Sequence, residues 1–215
     1  MQCDYIMSND DIKEIYDSVT SHNLETSFLR PRCEDKESKN IKVDIKINNE
    51  ELTSLNTPVQ REFYQEKKLY NQENYGKVVE HMTFIINEKY RRQGIAKSIH
   101  ESELKIYRKN GFKQIQLSAV HDGVLVWSKL FYKYKDEKEE KRIFSDFLTY
   151  LKQVHLLSME TISSKTFRNK SLKDINMKYL LAPSKGKDSF SVWLTKRPSS
   201  IGIDMYKDIT WMKMA

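Results

Sequence analysis

The chain has 215 residues, 39% of them hydrophobic and 11% aromatic, which excludes a disordered chain and leaves enough apolar surface for a real core. A formal net charge of +7 suits a partner that carries phosphates, either a nucleic acid or a cofactor. Two cysteines, Cys3 and Cys33, are too few for a disulfide framework or a zinc site and fit a reducing cytosol. Residues 1–7 lack the basic start and apolar stretch of a secretory signal, and no apolar run approaches the roughly 20 residues of a membrane span, so a cytoplasmic protein is expected.

Ser8 and Asp11 have capping-box spacing ahead of the stripe Ile12, Ile15, Tyr16 and Val19, which predicts a helix over 9–20. Residues 21–40 are polar, broken by Pro31, and read as loop. Ile41, Val43, Ile45 and Ile47 alternate with polar residues as a half-buried strand. Between 57 and 75, Pro58 followed by Phe63, Tyr64 and Leu69 allows a helix. Residues 78–86 are nearly continuous apolar and β-prone, as expected of a central strand covered on both faces.

A short polar stretch leads from that strand to Arg91-Arg92-Gln93-Gly94-Ile95-Ala96, and a helix is predicted over 97–110 with Ile95, Ile99, Ser102 and Ile106 as its buried stripe. Gly111 stands where a Schellman stop needs it, with Phe112 packing back. Ile115, Leu117 and Ala119 alternate as a second strand, which completes a strand–helix–strand crossover. A further helix is predicted over 124–134, and Ile143, Phe147, Leu151 and Val154 give another helical face. Ser171 and Asp174 precede a short helix, while 189–195 and 209–214 read as closing strands. With no repeat and no long linker, one domain is expected over 1–215. Its core lies at 41–135, followed by a helical insertion at 136–180 and closing strands at 181–215.

The chemistry is carried by Arg91-x-x-Gly94-x-Ala96, set between a strand and a helix. A loop entering a helix N-terminus presents backbone N–H groups that no helical carbonyl uses, at the positive end of the helix dipole. Gly94 allows close approach of a phosphate, Ala96 keeps the next contact small, and Arg91, Arg92 and Lys97 add positive charge.

The stretch 86–96 resembles motif A of the GNAT acyltransferase superfamily, whose pattern is Q/R-x-x-G-x-G/A. The resemblance runs over 78–134. Within it, Gly123-Val124-Leu125-Val126-Trp127-Ser128-Lys129-Leu130 is similar to bacterial GNAT-like domains with a G-x-Y-V-W-A-R-x-G-F segment, except that Phe131-Tyr132 stands where that pattern has Gly-Phe. It implies an α/β (α+β) fold, a GNAT-like mixed central sheet flanked by helices, with extra C-terminal helical elements. It further implies acetyl-CoA or another acyl-CoA as cofactor. Phe84, Ile85 and Ile86 would pair with the pantetheine arm, and Arg91, Arg92, Gln93, Gly94, Ile95, Ala96 and Lys97 would cradle the pyrophosphate. The expected activity is N-acyl transfer to an amine on a small molecule, a protein or an RNA. The alternatives are a catalytically inactive coenzyme A-binding or protein-interaction module, and a nucleic-acid-binding protein that uses the Arg91–Arg92 cluster.

Direct attack by an amine needs a base, and an acid for the leaving thiolate. Glu80 shares a face with Met82, Phe84 and Ile86 in a regular strand, where partial desolvation would raise its pKa, and it is the expected base. His81, on the opposite face, and His121, just after the second strand, are further candidates. Many GNAT enzymes have a tyrosine where Trp127 stands here, so the acid falls to Tyr132 or Tyr134.

Overall fold

The computed structural model describes residues 7–17, 19, 24–28, 40–47, 59–69, 75–91, 93–120, 123–164, 167, 170–197 and 202–209. They belong to two compact units, residues 1–116 with 208–215, and residues 117–207.

The first unit runs α1 (Asn9–Asp17), β1 (Leu24–Phe28), β2 (Asn40–Ile47), β3 (Val59–Leu69), β4 (Tyr75–Ile86), a 3-10 turn (Glu88–Tyr90), α2 (Ile95–Lys109) and the start of β5 (Gln114–Ala119). The strands lie in the order β1-β2-β3-β4-β5, antiparallel from β1 to β4. The Lys113 amide donates to the Lys77 carbonyl at 2.8 Å, so β4 and β5 set off from the same end and run parallel, as a helical crossover requires. The architecture is therefore the mixed α/β one that the resemblance implies.

Two expectations fail in this unit. Residues 24–28 form β1 where a loop is expected, and 59–69 form β3 where a helix is allowed. On β3 the buried residues are Val59, Arg61, Phe63 and Gln65, a perfect period of two in which every second member is polar. Apolar periodicity cannot register a strand whose buried face carries a charge.

Helix α2 behaves as predicted at its end. Gly111 takes φ 73°, the Phe112 amide donates to the Tyr107 carbonyl at 2.9 Å, and Phe112 is buried against Tyr107. Its buried stripe is Ile95, Ile99, Glu103 and Ile106, with His100 and Tyr107 beside it, and Ser102 is only half-buried. α1 packs on α2 through Ile12, Ile15 and Tyr16, and Asp11 accepts from Lys109 at 2.7 Å and Asn110 at 3.2 Å.

The second unit holds α3 (Gly123–Lys129), β6 (Lys133–Tyr134), α4 (Glu137–Gln153), α5 (Met159–Ile162), a 3-10 turn (Leu172–Asp174), α6 (Met177–Leu180), α7 (Phe190–Thr195) and β7 (Ile203–Asp208). β7 is antiparallel to β6, with Lys133 opposite Tyr206 and Tyr134 opposite Met205. Its core is aromatic: Phe147 and Tyr150 of α4 each meet the Phe190 ring at 5.3 Å, and Trp193 meets the Tyr150 ring edge-on at 5.8 Å. The predicted strand at 189–195 is thus a helix. Ser189 caps it, accepting from the Val192 amide, and Phe190, Trp193 and Leu194 bury at helical spacing. The closing strand falls at 203–208, ahead of the expected 209–214, of which 210–214 lie outside the described residues.

The predicted helix over 124–134 stops at Lys129. The Tyr132 amide donates to the Trp127 carbonyl and the Phe131 amide to the Ser128 carbonyl, a Schellman stop with Phe131 at φ 64°. Phe131 is 67% exposed, so no packing offsets that left-handed conformation. Phe131→Gly should therefore stabilise the protein by about 1 kcal/mol, read as a rise of roughly 2–4 °C in the thermal midpoint.

Candidate functional site

The turn from β4 to α2 is held by its own hydrogen bonds. The Tyr90 amide donates to the Asn87 carbonyl at 2.9 Å, Gln93 Nε2 to the Lys89 carbonyl at 3.0 Å, and Arg91 Nε to the Ile86 carbonyl at 2.9 Å. Arg91 thus folds back on the end of the strand and closes the turn. Gly94 is the N-cap of α2 at φ 82°, ψ −4°, and a Cβ built on it would meet nothing within 4 Å. The Ser98 amide is bonded back, to the Gly94 carbonyl at 3.0 Å. Helix geometry gives the preceding amides, those of Ile95, Ala96 and Lys97, no intrahelical acceptor. They open a helix of 15 residues whose dipole favours an anion at that end.

The side chains of the predicted cradle divide. Ile95 is buried and contributes only its amide to the turn. Gln93 and Lys97 are exposed, and Lys97 lies 3.8 Å from Glu101 one turn on. Phe84 lies under the Arg61 guanidinium, 4.6 Å from it, while Ile85 is exposed and Ile86 half-buried. Arg92 lies outside the described residues, as do His121, Cys3 and Cys33.

β4 is not regular. Glu62 of β3 faces Thr83 and Phe63 faces His81, so Met82 is one extra residue, a β-bulge. A bulge shifts the alternation by one. Before it, His81 and Val79 lie on the α2 face with Phe63 and Gln65; after it, Phe84 and Ile86 lie on that face, opposite Arg61 and Val59. Glu80, paired with Tyr64, therefore points away from Phe84 and Ile86. The expected shared face is corrected by that single inserted residue. Glu80 is not desolvated either: its side chain is 37% exposed and accepts from Lys68 Nζ at 2.6 Å. Nor is β4 covered on both faces beyond the bulge, since Met82 and Ile85 are more than half exposed.

Behind the turn lies a buried polar cluster. Arg61, which is fully buried, donates through Nε (2.9 Å) and Nη2 (2.7 Å) to Oε1 of Glu103, also buried. Its Nη2 also lies 2.6 Å from His81 Nδ1, and a guanidinium can only donate, so Nδ1 accepts. That assigns the proton to Nε2, which faces the Tyr107 hydroxyl at 3.1 Å. Burial opposes ionisation of Glu103, yet the Arg61 guanidinium beside it holds its carboxyl down at about 2. Burial first, then Arg61, keep His81 well below its ordinary 6.5 and so neutral. The unfolded chain takes up a proton near pH 6.5 that folded His81 refuses. Stability is then complete above that pH and is lost as pH falls through it, by up to about 1.4 kcal/mol per pH unit. Thermal melts between pH 7 and 5 should show this slope, and His81→Gln should flatten it.

Arg61 and Glu103 escape a search for apolar periodicity, but Glu103 left a signal. Glu103 falls on the apolar stripe of α2, four residues after Ile99 and three before Ile106, where a charge must have a buried partner.

In the second unit Tyr132 is buried, its ring 5.0 Å from that of Trp127, with Lys207 Nζ 5.6 Å from its centroid. The Tyr134 hydroxyl shares a 2.9 Å hydrogen bond with Ser128 Oγ, and burial pushes it up to about 12. A cleft of about 310 Å³ lined by Phe167, Lys170, Asp174, Ile175, Asn176 and Tyr179 contains none of the predicted site residues. Among the described residues no group of His, Cys, Asp and Glu could hold a metal ion, and no helix is long and apolar enough to cross a membrane.

No family model matches the chain, and no curated protein does. Among solved structures the chain is similar to NAA60 of Arabidopsis thaliana in complex with a bisubstrate analogue, at 10% identity and TM-score 0.34, over 60% of this chain and 83% of that one. It is also similar to Ard1 of Thermoplasma volcanium, at 12% identity and TM-score 0.27, over 60% and 81% of the two chains.

Proposed function

We propose that the β4–α2 turn binds the pyrophosphate of an acyl-coenzyme A, and that the protein transfers the acyl group to an amine. The observation that carries this reading is Gly94: a left-handed N-cap with open space where a Cβ would stand, ahead of the first-turn amides of α2. The chain's residues fit the group. The amides of Ile95, Ala96 and Lys97 would donate to phosphate oxygens, and the Lys97 ammonium would lie beside them. The backbone of Phe84, Ile85 and Ile86, past the bulge, would hold the pantetheine arm as an added strand does. Arg91 supports the site from behind, by tying the turn to the Ile86 carbonyl.

The thioester supplies an activated acyl carbon. In the transfer, the amine nitrogen bonds to that carbon, the carbon–sulfur bond breaks, the nitrogen loses a proton and the thiolate gains one. The acceptor would be an amine on a small molecule, a protein or an RNA.

A second reading, a coenzyme A-binding module without turnover, is favoured by the state of the candidate acid–base groups. Glu80 is ion-paired on the other face of β4, His81 is held neutral inside the core, and the Tyr132 ring is buried on Trp127. Calorimetry with acetyl-CoA tests both readings: binding is expected, and a flat titration removes both. Thiol release across a panel of amines then separates them. Turnover supports the transferase, and binding without any released thiol supports the module.

A further inference from the structure

We infer that Arg61 is a positioning residue that bolts the post-bulge stretch of β4 to α2, fixing the separation between the two halves of the proposed coenzyme A site. The inference rests on that reading. Arg61 stands on β3, in neither half, yet it touches both supporting elements. It donates twice to Glu103 on α2, and on β4 it meets His81 Nδ1, reaches the Thr83 carbonyl at 3.5 Å and covers the Phe84 ring. Its contacts on β4 therefore bracket Met82, the extra residue of the bulge.

That placement has a physical use. A bulge locally disrupts the ladder, so the strand beyond it needs a second anchor if its backbone is to meet a ligand in a fixed register. A buried ion pair is weak evidence for stability, because apolar side chains of similar volume often serve as well. What they cannot supply is direction. The forked guanidinium fixes strand and helix at defined angles, in a way that an apolar pair does not. A ligand that spans strand end and helix N-terminus gains from a fixed separation, and a fragment that touches one half does not.

The test compares the wild type with Arg61→Met/Glu103→Leu, which removes both charges together. Each is titrated with acetyl-CoA and with 3′-phospho-ADP, which carries the phosphates but no pantetheine arm. The double variant is expected to unfold cooperatively and to bind 3′-phospho-ADP within about twofold of the wild type, while acetyl-CoA binds at least about tenfold more weakly. Arg61→Lys, which keeps the charge but has no fork, should show the same selective loss and serves if the double variant does not fold. Unchanged acetyl-CoA affinity in a folded variant, or equal weakening of both ligands, overturns the inference and leaves the proposed function standing. A wild type that binds neither ligand overturns both.

Discussion

Arg61→Met should unfold far more easily than the wild type, by about 3–5 kcal/mol, because it leaves the Glu103 carboxylate buried without its counter-ion. Adding Glu103→Leu should restore most of the loss, since the second change removes the orphaned charge. Urea melts of the wild type, the single variant and the double variant measure both steps. The single variant should also reverse the sign of one pH dependence. In the wild type, Glu103 titrates at about 2 when folded, below its ordinary 4.5, so its contribution is present above that value and is lost as pH falls toward 2. Without Arg61 its folded pKa rises above the unfolded one. Its contribution is then present in acid and lost as pH rises, so Arg61→Met should be more stable near pH 5 than near pH 8 on this account. Equal stability of the single variant and the wild type would show that Glu103 is not left buried and unpaired when Arg61 is removed.

Gly94→Glu should abolish acetyl-CoA binding while the protein still folds. The two effects separate because of the geometry at that residue. A Cβ there meets nothing within 4 Å, so the backbone has room for one, and the left-handed φ of 82° costs an L-residue only about 1–2 kcal/mol. A carboxylate carried at the N-cap would bring negative charge to the proposed phosphate site and repel a phosphate. Gly94→Ala isolates the backbone part and should weaken binding by roughly tenfold, the equivalent of about 1.4 kcal/mol. Calorimetry beside a thermal melt reads both quantities. A Gly94→Glu protein that binds acetyl-CoA normally would remove the helix N-terminus from the site.

Both outcomes turn on residues that differ greatly in how readable they were. Gly94, Gly111, the Ser8 cap and the stripe of α2 act over one or two turns, where cap chemistry, glycine conformation and the 3.6-residue period depend only on near neighbours. The strand–loop–helix–strand from β4 to β5 was legible for that reason, and so was the glycine-containing turn that leads into α2. β3 was not legible, because two of its four buried positions, Arg61 and Gln65, are polar. The expected base was misplaced for a related reason. Nothing in residues 78–86 marks Met82 as a bulge, and the bulge exists only in the pairing of β4 with β3.

The sequence by itself determined the strand–helix–strand crossover, the turn into α2 and the Gly111 stop at its end, since each follows from local stereochemistry and short-range patterning. The tertiary structure alone decided which face Glu80 takes and that Arg61 is buried. A bulge requires a partner strand to be counted against, and a charge leaves water only when its counter-ion, here 42 residues away in Glu103, meets it inside the core.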